Sequence, residues 1–92
     1  MLDYLKTEAD VRRYLDLAFE TEDAAYIAAA LGTAAKARRL MSKVAQKAGV
    51  ARESLYQSLS EKGRPQFGTI LSVVHSLGYQ LSLVPQKKQR VA

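Results

Sequence analysis

A chain of 92 residues, 48% hydrophobic and 25% charged with a formal net charge of +5 and no cysteine, is the size of one small domain. The absence of cysteine excludes disulfides and thiolate metal sites and points to a cytoplasmic setting. The longest apolar run, AAYIAAALG, is too short for a bilayer, and MLDYLKTEAD lacks a basic stretch followed by an apolar one, so neither a membrane span nor a secretory leader is expected.

Thr7 followed by Glu8 and Asp10 is a capping signal, and Val11, Leu15, Ala18 and Phe19 recur at helical spacing, predicting a first helix over 8 to 20. Thr21, with Glu22 and Asp23 in its first turn, predicts the start of a second, which carries Ile27, Ala28 and Leu31 inward. Gly32 and Thr33 are the expected point of a break or restart before KARRL. The alanines here make a thin helix that lets neighbours approach closely, a packing feature and not a chemical one. Ser42 predicts the cap of a third helix, SKVAQKAG, with Val44, Ala45 and Ala48 inward and Gly49 at its end. RESLYQSLSEK predicts a fourth, with Leu55, Tyr56 and Leu59 inward. Gly63, Arg64 and Pro65 form a turn, and Phe67, Ile70, Leu71, Val74 and Leu77 mark a fifth helix closed by Gly78.

After Gly78 the period changes to two. Tyr79, Leu81 and Leu83 alternate with Gln80 and Ser82 before Pro85, which predicts a short strand from Tyr79 to Val84. A lone strand leaves backbone donors and acceptors unpaired, so antiparallel pairing with a second copy is expected. That makes Leu81, Ser82 and Leu83 the predicted dimer contacts. The segment from 86 to 92, QKKQRVA, is expected to be a basic, flexible tail.

The third and fourth helices, joined at a glycine with small Ala45 facing the second and Val50 and Leu55 locking the corner, fit a helix-turn-helix with its core over 42–60. An exposed helix of that width fits the DNA major groove. Arg52 can fork onto guanine, Gln57 onto adenine, Glu53 can accept from cytosine, and Ser54 lies among them. Ser42, Lys43, Gln46 and Lys47 on the preceding helix, with Lys62 and Arg64 after the reader, are placed to hold phosphates. The charge distribution agrees. The first 31 residues hold seven acids against Lys6, Arg12 and Arg13, whereas the remainder holds eleven bases against Glu53 and Glu61. A polyanion partner is expected for the basic part, and a basic protein partner for the acidic part with Asp10, Asp16, Glu20, Glu22 and Asp23.

No enzyme chemistry is expected. His75 is the sole histidine, has no cysteine or carboxylate at ligand spacing, and reads as a residue at the edge of the core. There is no phosphate-binding glycine loop, no nucleophile elbow, and no general base near Ser54, Ser58 or Ser60 in sequence. Neither metal nor cofactor is implied.

The succession LG, KAR, MSKVAQKAGVARESLYQSLS, GRPQFGTIL and SLGYQLSLVP resembles the addiction-module antidote proteins, the antitoxin halves of bacterial type II toxin-antitoxin pairs with a HigA-like helix-turn-helix. The resemblance runs from about Tyr4 to Pro85. It implies an all-α, five-helix, lambda-repressor-like helix-turn-helix domain over 1–85, which here includes the one short C-terminal strand. It further implies binding to the protein's own operator DNA as a homodimer, autorepression, and neutralisation of a small basic toxin of the RelE-like type. Three positions depart from the family's pattern: Leu40 stands where a glycine is usual, Ala51 replaces a capping serine, and Arg64 adds a cation in the turn where asparagine is common. Two other readings fit the same residues: a stand-alone repressor with no toxin partner, and a protein-interaction module that does not bind DNA.

Overall fold

The computed structural model describes residues 5–86, so the end of the expected basic tail, 87–92, lies outside the described residues. It is all-helical, with five helices: α1 (Glu8–Glu20), α2 (Ala24–Ala37), α3 (Met41–Ala48), α4 (Arg52–Ser58) and α5 (Phe67–Ser76). None is long and apolar enough to cross a membrane.

α1 begins as its sequence predicts. The Thr7 hydroxyl accepts from the Asp10 N–H at 3.0 Å while the Asp10 carboxylate accepts from the Thr7 N–H at 3.1 Å, a reciprocal capping box. Thr21 closes α1 instead of opening α2: its hydroxyl donates to the Ala18 carbonyl at 2.7 Å, and Glu22 turns the chain with a left-handed φ of 56°. Asp23 is therefore the cap of α2, accepting from the N–H groups of Ala25 and Tyr26 at 3.0 and 3.2 Å.

α2 runs unbroken through Gly32. The expected break is absent because this glycine serves close approach: a Cβ there would lie 2.5 Å from the Leu59 carbonyl oxygen and 3.0 Å from the Leu59 Cβ. With Ala28, Ala30, Ala34 and Ala35 also buried, α2 packs against α1, α3 and α5. It ends in a Schellman turn: the Leu40 N–H donates to the Ala35 carbonyl at 2.8 Å and the Arg39 N–H to the Lys36 carbonyl at 3.0 Å. The left-handed position is Arg39, with φ of 57°. That turn starts α3 at Met41, whose buried side chain anchors it, so Ser42 is an exposed helical residue and not a cap.

α3 lies against α4 and α5. Gly49 ends it at φ 72°, with Val50 donating to the Ala45 carbonyl at 3.0 Å. Ala45 is buried as the close crossing requires, but Val50 is 40% exposed and does not lock the corner. α4 stops at Ser58, short of the predicted Lys62, because Leu59 leaves helical geometry at φ −96°, ψ 51°; the chain then folds back so that Gly63 packs on the carbonyls of Gln57 and Ser58, where any side chain would collide with them. Leu55 and Leu59 hold α4 to the core.

α5 buries Val73 and Val74, with Ile70 and Leu77 packed beside them. Phe67, predicted inward, is 67% exposed because it is the first helical residue and no other element covers it; His75 is exposed as well. The predicted strand is absent. The Tyr79 N–H donates to the Val74 carbonyl at 3.0 Å and its side chain packs on the core, after which 80–86 forms no regular secondary structure. A ladder needs a second edge, and no strand exists among the described residues to supply one. Leu83 is 98% exposed and Leu81 and Val84 are also exposed, so the alternating pattern buries no apolar face against the described residues.

Candidate nucleic-acid interface

α3, residues 49–51 and α4 form one connected surface. On α3, Met41, Val44 and Ala45 are buried, which leaves Lys43, Gln46 and Lys47 along one exposed stripe at i, i+3 and i+4, with Ser42 beside it. On α4 the anchor is Leu55, fully buried. At about 100° per residue, Glu53 and Gln57 lie opposite that anchor, Ser54 flanks one side, and Arg52 with Tyr56 flanks the other. All four polar residues are exposed. Lys62 and Arg64 follow in the loop before α5 and are exposed too. Every side chain expected to meet DNA is thus on the surface of one contiguous segment, while the expected dimer contacts Leu81, Ser82 and Leu83 are exposed on the C-terminal segment after α5.

The end of α4 is fastened locally. The Ser58 hydroxyl donates to the Leu55 carbonyl at 3.2 Å, beside the Leu59 N–H at 3.0 Å, and the Ser60 hydroxyl donates to the Gln57 carbonyl at 2.7 Å. These serines are structural fasteners. No side chain caps the N-terminal end, where Ala51 stands.

The sequence did not reveal the electrostatic centre of this face. Tyr56 is only half-buried, and two cations stack on its ring: Lys36 Nζ from the end of α2 at 5.4 Å from the centroid and Arg52 Cζ at 5.6 Å. Arg52 Nη2 also donates to the Tyr56 hydroxyl at 3.2 Å. The Lys36 contact is invisible to any local pattern, because it joins two helices. The ion pairs among the described residues, Arg12–Asp16 at 3.7 Å and Arg38–Glu8 at 3.4 Å, both involve α1, so none neutralises a cation of α3 or α4. A rigid helix that offers acceptors and donors, bordered by unneutralised cations, can hydrogen-bond base edges and attract a polyanion.

The acidic residues divide by role. Asp10 and Asp23 are occupied in caps, and the hydrogen bond from the Thr7 N–H, which outweighs the opposing loss of solvation, holds the Asp10 carboxyl below its ordinary value. Asp16 pairs with Arg12. Glu20 and Glu22 are exposed, and with Asp16 they edge an open groove of about 1250 Å³ whose apolar lining includes Leu15, Phe19, Leu31 and Tyr79. No group of His, Cys, Asp or Glu among the described residues is arranged to hold a metal ion.

A family model described as "probable addiction module antidote protein" matches residues 1–85. A Haemophilus influenzae protein described as uncharacterized is 36% identical over 81 residues, covering 88% of this chain and 82% of that protein. No solved structure matches the chain.

Proposed function

The chain belongs to the probable addiction module antidote family, and on that premise we propose that it is an antitoxin that binds its own operator DNA as a homodimer, represses its own transcription and neutralises a small basic toxin. The observation that carries the DNA reading is the exposed face of α4. Leu55 and Leu59 anchor the helix from beneath, so Glu53, Ser54 and Gln57 are presented on a fixed rod, with Lys43 and Lys47 on the preceding α3 and Lys62 and Arg64 in the loop that follows. In this reading α3, the turn at Gly49 and α4 act as a helix-turn-helix, with α4 in the major groove and α3 crossing the backbone. Glu53 and Gln57 read base edges, and the lysines and Arg64 hold phosphates.

The homodimer rests on the exposed apolar side chains of the C-terminal segment, Leu81, Leu83 and Val84, which a second copy would cover. Charge supports toxin binding at the groove between α1 and the C-terminal segment: Glu20, Glu22 and Asp16 beside its apolar lining, which Leu81 and Val84 share, suit a basic protein with an apolar contact.

Fluorescence anisotropy with a duplex from directly upstream of the reading frame, against an unrelated duplex of equal length, tests the DNA reading. Gln57→Ala is expected to weaken binding to the upstream duplex by about 1 to 3 kcal/mol and to leave the unrelated one unchanged, whereas Lys43→Ala weakens both alike. Equal affinity of the wild-type protein for the two duplexes would defeat the operator reading.

A further inference from the structure

We propose that Lys36 and Arg52, both stacked on Tyr56, form a phosphodiester-binding site that extends the DNA-contacting surface from α4 onto the end of α2, with Tyr56 as the positioning residue. The proposal rests on the DNA reading and sharpens it: Arg52 grips the backbone and does not read a base.

Three observations converge. First, the ring gathers cations from two different helices, Lys36 Nζ at 5.4 Å and Arg52 Cζ at 5.6 Å from its centroid. Second, neither cation has a carboxylate partner among the described residues, since the two ion pairs there are made by Arg12 and Arg38. Both positive charges lie within 5.6 Å of one ring centroid, and the ring offsets their mutual repulsion only partly. An anion bound beside the ring is attracted by both. Third, the platform is fixed. Tyr56 is packed against the core cluster, and its hydroxyl accepts from Arg52 Nη2 at 3.2 Å, which orients the guanidinium and leaves its other donors free.

The class of anion follows from the donors. A guanidinium presents a planar fork and an ammonium a compact point charge, which together suit the two unesterified oxygens of a phosphodiester. Position on the helix separates Arg52 from the base readers. Glu53 and Gln57 point directly away from the buried Leu55, whereas Arg52 lies on the flank that faces Lys36 of α2. A side chain stacked on that flank is turned toward the wall of a groove and not its floor.

The test uses the full-length chain, the upstream duplex and the unrelated duplex, with affinity measured across a potassium chloride series. Lys36→Gln and Arg52→Gln are each expected to weaken both duplexes alike, by roughly threefold or more, and each to reduce the slope of log affinity against log salt by about 0.9, the signature of one lost phosphate contact. Tyr56→Phe keeps the ring and is expected to retain most of the slope. Tyr56→Leu removes the platform and is expected to lose slope while its circular dichroism spectrum stays native. Should Tyr56→Leu unfold, the Lys36, Arg52 and Tyr56→Phe variants still decide the matter. An unchanged slope in Lys36→Gln, or an Arg52→Gln defect confined to the upstream duplex, overturns the site while leaving operator binding intact. Failure of the wild-type protein to bind either duplex overturns the site together with the DNA reading, and the two failures are therefore distinguishable.

Discussion

Replacing one buried glycine tests the packing that holds α4 in place. In an open helical site Gly→Ala is stabilising by about 0.8 to 1 kcal/mol, because alanine loses less backbone entropy on folding. Gly32 sits in the middle of α2, so propensity alone predicts a gain from Gly32→Ala. The tertiary contact predicts the opposite. The added Cβ would meet the Leu59 carbonyl oxygen at 2.5 Å and the Leu59 Cβ at 3.0 Å, and a backbone oxygen cannot swing aside as a flexible side-chain tip can. Forcing that much volume into a packed site costs about 1 to 3 kcal/mol, which exceeds the propensity gain over most of its range. Gly32→Ala is therefore expected to destabilise by about 1 kcal/mol net, a fall in Tm of roughly 4 to 8 °C for a domain of this size. Gly68 is the internal control: it lies near the start of α5, and a Cβ there meets nothing within 4 Å, so Gly68→Ala is expected to raise Tm slightly. Thermal unfolding by circular dichroism reads both. A rise in Tm for Gly32→Ala comparable to that for Gly68→Ala would refute the close approach of α2 to the end of α4.

Three other expectations concern single positions. Arg39→Gly is expected to stabilise by about 0.5 kcal/mol in urea unfolding, because glycine relieves the left-handed φ of 57° and offsets part of that gain through its freer unfolded chain; a loss of stability would mean that the arginine side chain matters more than the strain. The folded-state pKa of Asp10 is lowered, so its contribution is fully present above the ordinary value of 3.8 and disappears as pH falls through the lower folded value; Asp10→Asn should make the acid limb of a urea-midpoint profile shallower, and an unchanged limb would contradict the capping box. Leu83→Asp, at a residue 98% exposed, should leave the helical circular dichroism spectrum native, reduce the mass in solution from dimer to monomer and remove the concentration dependence of Tm, whereas an unaltered dimer mass would place the interface elsewhere.

The sequence by itself determined the class and most of the helices, because those signals are local. A capping box at Thr7 and Asp10 closes within one turn, apolar spacing places Val11, Leu15 and Leu55 on inner faces, and Gly49 and Gly78 mark helix ends where φ is positive. The same locality exposed the polar face of α4 in advance, since a helix anchored by Leu55 must present Glu53 and Gln57 to solvent. Tertiary structure decided what local signals leave open. Glu22 and Arg39 adopt left-handed conformations that their residue types disfavour, because the chain must reverse there to bring α2 between its neighbours. Gly32 reads as a helix breaker in isolation and is instead the place where α4 comes nearest. The alternation from Tyr79 to Val84 is a strand pattern, but a strand exists only as a pair, and no strand among the described residues supplies a mate. The Lys36–Tyr56–Arg52 stack was beyond reading in the sequence for the same physical reason: a cation finds a ring across space, and the periodicity of either helix alone carries no record of the other.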